Sequence, residues 1–234
     1  MKKRGIGRQI IFVIIGALMI NTTVMASEQE DAELTIQNII QEDIIKNSTK
    51  QESSDQILGK LVAYSTDKKM AFFEKENVSK MAEVDNKVLC KNESIMTFAS
   101  TNGYNSRFDY VPGGSVKVSH YYTLDESNNH FQMLKSTFTY NVDESKYRFI
   151  NVKAGYGLKG FKVNGGEYNV PLTYRSFGDK LIGTKTEVIQ VNSPILKYHT
   201  SPLRFEIASA TSFTVKDMTN GTQWNKSFGI YSIN

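Results

Sequence analysis

Between residues 28 and 46 the apolar positions Ala32, Ile36, Ile39, Ile40 and Ile44 recur three and four apart, which places them on one stripe of a helix. Glu28, Glu30, Asp31 and Glu33 fall in the first turn, where the helix dipole favours acids, and Ser27 with Glu30 has the spacing of a capping box. An amphipathic helix over 28–46 is therefore expected. Its polar face is acidic, so it is expected to pack on its own domain rather than on an anionic membrane surface. Residues 47–56, NSTKQESSDQ, contain no apolar side chain and read as a linker. Residues 57–100 fit two periods. Met70, Phe73, Met81, Val84 and Val88 have helical spacings, whereas 60–65 and 88–98 also fit short strands; a helix is expected over 67–84.

After Asn102-Gly103 the pattern changes to alternation. Val116, Val118, His120, Tyr122 and Leu124 share one face of a strand over 115–124. Tyr168, Val170, Leu172 and Tyr174 do so over 168–175, and Leu203, Phe205 and Ile207 over 203–208. Further strands are expected over 134–142, 147–154, 158–163, 184–191, 212–218 and 223–233. Pro112-Gly113-Gly114, Asn164-Gly165-Gly166 and Asn220-Gly221 supply the turn chemistry between them. Eight or nine short strands at this spacing predict a mainly β fold: a C-terminal antiparallel β-sandwich or barrel preceded by a short helical N-terminal region. The expected division is 1–26, 27–104 and 105–234.

Ahead of the helix, Lys2, Lys3, Arg4 and Arg8 precede an apolar run from Ile10 to Ile20, and Val24-Met25-Ala26 places small residues before a cut. Residues 1–26 therefore read as a cleaved secretory signal peptide, and the run is shorter than the roughly 18 residues that a bilayer span needs. The expected product begins at Ser27, is secreted by a bacterium and keeps no transmembrane anchor. Removing the leader changes the charge. Four of the 28 basic residues go with it, leaving 24 against 24 acidic ones, so a nucleic-acid partner is not expected. The balance is uneven along the chain: 27–104 hold 9 basic and 14 acidic residues, 105–234 hold 15 and 10. Cys90 is the single cysteine, which excludes an intramolecular disulfide and fits a buried apolar thiol beside Val88 and Leu89.

No motif names a reaction. Gly155-Tyr156-Gly157-Leu158-Lys159-Gly160 has the spacing of a dinucleotide loop, but a hairpin pattern follows where a helix is needed, so a strand connection is expected and no cofactor. His120, His130 and His199 have no ligand spacing, and no metal site is expected. Ser65 to Lys68 fits Ser-x-x-Lys without its companion motifs, and Ser94 to Thr97 shows how readily short serine matches arise. Asp109, Glu167, Asp179, Glu187 and Glu206 are the acids from which a glycosidase pair would be drawn, and alternation puts Glu187 and Glu206 on solvated faces. Aromatic residues number 20 after residue 104 and 5 between 27 and 104. Most are expected in the core, but Tyr121, Tyr156, Tyr198 and Trp224, with Arg175, fall on outward strand positions or near turns and are the binding candidates.

The sequence therefore predicts a secreted, non-catalytic binding or interaction protein whose partner is a cell-surface glycan or protein. A secreted wall- or polysaccharide-active hydrolase and a β-rich toxin or bacteriocin-like protein are the alternatives.

Overall fold

A computed structural model of the chain describes residues 30–46, 60–65, 70–101, 110–142, 145–179, 183–191, 193–200, 203–204 and 206–233. The leader, the linker, Asp109, Lys68 and the expected boundary near residue 104 lie outside them. Helix α1 occupies 30–46, as its stripe predicts: Ala32, Ile36, Ile40 and Ile44 are buried, whereas Leu34 and Ile45 are exposed. The chain divides into two compact units, Met1–Glu42 and Asp43–Asn234, so the last turn of α1 belongs with the strands.

The strands are β1 (Lys60–Ser65), β2 (Met70–Val84), β3 (Lys87–Thr101), β4 (Tyr110–Asp125), β5 (His130–Val142), β6 (Tyr147–Lys162), β7 (Glu167–Gly178), β8 (Lys185–Gln190), β9 (Leu196–Lys197), β10 (His199–Thr200), β11 (Leu203–Arg204), β12 (Glu206–Asp217) and β13 (Gln223–Ile233). One antiparallel sheet runs in the order β1-β2-β3-β4-β5-β9-β6-β12-β13, with β8 also on β5 and β7 also on β6; β10 and β11 form a separate pair. The two residues of β9 bridge β5 and β6, and there the sheet curls on itself. Unpaired strands then face each other. The hydroxyls of Tyr140 on β5 and Thr211 on β12 lie 2.8 Å apart, as do those of Ser136 and Ser209. The mainly β expectation is met, and the architecture is a curled antiparallel half-barrel.

Alternation puts Val116, Val118, Phe138, Tyr140, Phe149, Phe213, Val215, Phe228 and Ile230 on the inner face, all buried in one cluster. Phe149 packs edge-on against Phe98, Tyr140 and Phe213 with ring centroids 5.7, 5.6 and 5.2 Å away. A second cluster holds Tyr122, Phe131, Met133, Leu158, Val191, Leu196 and Ile207. Between the clusters in register runs a polar row, Asn92, His120 and Ser136 on β3, β4 and β5, joined to Ser209 from β12. Asn92 accepts from the Tyr122 hydroxyl at 3.3 Å.

Two local expectations are corrected. Residues 70–84 form strand β2 and not a helix. Lys75 to Lys80 are all exposed, so their spacing reports no buried face, and pairing with β3 from Met70↔Ser100 to Val84↔Lys87 decides the conformation. The hairpin between them turns on Asp85 and Asn86, whose φ of 48° and 61° suits those side chains. Pro112-Gly113-Gly114 lies inside β4 and makes no turn. A Cβ on Gly113 would stand 2.6 Å from Phe98 Cε2 and 2.7 Å from Tyr147 Cε2, so the absent side chain makes room for two core rings. Strands β3 and β4, on either side of residues 102–109, pair side by side in the same sheet.

Candidate functional site

The outer face of β7, β6, β12 and β13 is the open surface on which chemistry collects. Register fixes its rows. Lys153, Ser212 and Ser227 form one; Gly155, Ala210 and Gly229 the next; then Gly157, Ala208 and Tyr231; and Lys159 stands beside Glu206. Apart from Tyr231 these two middle rows carry only glycine and alanine, and Gly155, Gly157 and Ala210 are themselves buried. Strand β7 crowds one side of this floor: a Cβ on Gly155 would collide with the carbonyl of Thr173, and one on Gly157 would lie 3.0 Å from Leu172 N. Gly155→Ala is accordingly expected to lower stability by about 1–3 kcal/mol through forced separation of β6 from β7. Urea unfolding monitored by tryptophan fluorescence measures it, and an unshifted midpoint would refute the crowding.

Two concavities lie on this face. The first, about 230 Å³, has Gly157 and Ala208 beneath it, Val170, Pro171, Leu172 and Tyr231 around it, and Lys159, Asn169 and Glu206 lining it with their polar groups. Lys159 Nζ is 3.5 Å from Glu167 Oε1. Tyr174 pairs with Gly155 from β7, is 40% exposed, and stands in the row next to Tyr231, 64% exposed, on the opposite side of the floor. Partial burial and the proximity of Tyr231 raise the Tyr174 phenol above its ordinary value. The second, about 360 Å³, is lined by Asn151, Lys153, Ser212, Phe213, Thr214, Asn225, Lys226 and Ser227.

Of the candidates read from the sequence, Arg175 is exposed on β7 next to Tyr174. Of the others, Tyr121 and Trp224 are buried and Tyr156 and Tyr198 are half-buried. Tyr121 does point out of the core, but it is only 1% exposed and its hydroxyl donates to Asp43 Oδ2 at 2.8 Å. Burial, followed by the Asp43 carboxylate, raises its phenol far above the usual range. Trp224 is an inner-face core residue, edge-on to Tyr147 at 6.4 Å. Tyr156 packs half-buried against both clusters and Tyr198 against the second. Tyr121 and Trp224 therefore have no ring face to offer a ligand. Sequence reasoning missed Tyr174, which alternation placed on an apolar face with Tyr168 and Val170. An extra residue in β7 shifts the register between Leu158↔Val170 and Tyr156↔Thr173 and reverses the parity that follows. Pro171, which has no N–H for the ladder, was the available signal.

The remaining motifs are inside or scattered. His120 is fully buried in the polar row, where burial pushes its imidazole down to about 3. His130 starts β5 beside a crevice of about 30 Å³ shared with Lys87, Thr123 and Asp125, and His199 is in β10. Among the described residues no three His, Cys, Asp or Glu side chains form a metal-binding group. Gly155 to Gly160 lie mid-strand in β6, paired with β7 and β12; the segment is neither a phosphate loop nor a connection. Cys90 is buried, and burial raises its thiol. Ser65 ends β1 and Ser94 sits inside β3. Among the acids, Glu167 pairs with Lys159, Glu187 lies 2.8 Å from Lys185, and Asp179 accepts from the Asn151 backbone N–H at 2.9 Å. Glu206 is exposed at the end of the first concavity.

No protein-family model, curated protein or solved structure matches the chain.

Proposed function

We propose that this chain is a secreted, non-catalytic binding protein that holds a cell-surface glycan against the outer face of β7, β6, β12 and β13. The observation that carries the reading is the exposure of Tyr174 and Tyr231 on either side of a floor of glycine and alanine. Pyranose rings present apolar C–H faces, which pack on aromatic rings, while their hydroxyls need polar partners. Asn169, Lys159 and Glu206 offer such partners beside the first concavity and Ser212, Ser227 and Asn225 beside the second. Ser212, Ser227 and Asn225 are short, so ordering them on binding costs little conformational entropy. Export rests on the leader over residues 1–26.

A glycan array followed by calorimetry tests it. Tyr174→Ala and Tyr231→Ala are each expected to weaken the best glycan about tenfold, equivalent to about 1.4 kcal/mol. Unchanged affinity in the double variant, or turnover of a wall polysaccharide in a zymogram, would overturn the reading.

A further inference from the structure

We infer that the sugar held at the first concavity is an N-acetylated amino sugar, with its acetamido group seated between Lys159, Glu206 and the apolar wall of β7. This rests on the proposed glycan-binding face and specifies its ligand. At about 230 Å³ the concavity is smaller than the roughly 300–1,000 Å³ of a site for a drug-sized ligand, so it admits a single sugar unit. Its floor is Gly157 and Ala208, which are paired with each other within the sheet. Strand β7 comes down against that floor: a Cβ on Gly157 would lie 3.0 Å from Leu172 N and 3.3 Å from Leu172 Cβ. Pro171 and Leu172 therefore form one side, and Tyr231, in register with Ala208, forms the other. A hydroxyl pressed against this floor and wall gives up water without gaining a partner, whereas a methyl group covers apolar surface there.

The polar groups gather at one end. Lys159 and Glu206 are direct neighbours across β6 and β12, on strands about 4.8 Å apart, and both line the concavity with Asn169. A lysine ammonium only donates hydrogen bonds and a carboxylate only accepts them. Side by side they match a secondary amide, whose carbonyl oxygen accepts from Lys159 while its N–H donates to Glu206. A hydroxyl at the same carbon has a single oxygen and no methyl, so it spans neither the charged pair nor the apolar wall. Lys159 Nζ is also 3.5 Å from Glu167 Oε1, so one cation stands among two carboxylates, an arrangement that disfavours an anionic sugar.

Calorimetry with chitotetraose, cellotetraose and the fully deacetylated chitosan tetramer tests the inference, because the three differ only at C2 of each ring. Chitotetraose is expected to bind about tenfold or more tighter than either of the others. In the Lys159→Ala, Glu206→Ala double variant that preference should fall to about threefold or less. Both side chains are exposed, so its thermal midpoint should match the wild type, and partial unfolding would weaken all three ligands alike. Tyr231→Ala, by contrast, should weaken chitotetraose and cellotetraose together. Equal affinity for chitotetraose and cellotetraose, a chitosan tetramer that binds as tightly as chitotetraose, or a preference that survives in the double variant overturns the acetamido seat while the glycan reading stands. A best glycan on the array that carries no N-acetyl group does the same. If no glycan binds, on the array or in solution, both fall.

Discussion

Lys91→Ala is expected to destabilise the strand unit by about 3–5 kcal/mol, far more than loss of a surface charge pair. Lys91 lies on the outer face of β3 with a side chain only 9% exposed. Its ammonium is 2.9 Å from Asp43 Oδ2, in the last turn of α1, and 2.8 Å from Glu93 Oε2. Glu93 also accepts from Ser119 at 3.2 Å and lies 3.9 Å from Lys117, while Asp43 accepts from Tyr121. Removing the cation that contacts both carboxylates leaves two partly desolvated negative charges with weakened compensation. Removing Glu93 as well, in Lys91→Ala, Glu93→Ala, should recover part of the loss, so that the two single effects exceed their joint one. Burial alone would lower the Lys91 pKa, but Glu93 and Asp43 outweigh it and the net shift is upward. The stabilisation is therefore fully present below the unfolded value of about 10.5 and fades as pH rises through the higher folded value. Urea midpoints for the wild type, both singles and the double decide the matter. A loss below about 1 kcal/mol in Lys91→Ala would show that the pairs behave as exposed ones.

Acidification tests the interior. Burial lowers the His120 imidazole from its ordinary value of 6.5 to about 3, so the unfolded chain takes up a proton that the folded chain refuses. Stability from this source is present above pH 6.5 and lost as pH falls towards 3. Between pH 7 and pH 4 the loss is about 3 kcal/mol. His120→Leu should remove that part of the pH dependence, whatever it does to stability at pH 7, because the carboxylates titrate alike in both proteins. Urea unfolding at pH 7, 5.5 and 4 supplies the comparison. Parallel pH profiles for variant and wild type would mean that His120 is protonated in the folded state.

Local pattern was enough where a segment has one buried face and its own turn. The isoleucine stripe of α1, the alternation from Val116 to Leu124 and the hairpin at Asn220-Gly221 were all legible. It failed where pairing with a distant strand sets the conformation. Exposed residues from Lys75 to Lys80 leave β2 without a burial signature, and the glycines at 113 and 114 are explained only by rings arriving from β3 and β6. The same limit hid the candidate site. Tyr174 and Tyr231 are 57 residues apart in sequence and meet across a floor assembled from three further strand registers; the bulge near Pro171 had also reversed the face on which Tyr174 was expected. Arg175 was legible because exposed charge needs no partner to stay outside. Tyr121 and Trp224 looked equally available, since sequence does not reveal that Asp43 or Tyr147 lies against them.

The polar row through the core has a consequence for how the strands find their places. Strands of 16 and 13 residues, such as β4 and β5, could slide past one another by two positions and still present apolar side chains inward. In the native register His120 is opposite Ser136, and Asn92 is opposite His120. A two-residue slip in one direction sets His120 against Phe138, and Ser136 then stands away from the position at which Ser209 meets it. Each such mismatch strands a polar group in an apolar layer at a cost of about 1–3 kcal/mol. The row thus serves as an alignment mark: it gives up some apolar contact and, in exchange, penalises the neighbouring registers that hydrophobicity alone would accept.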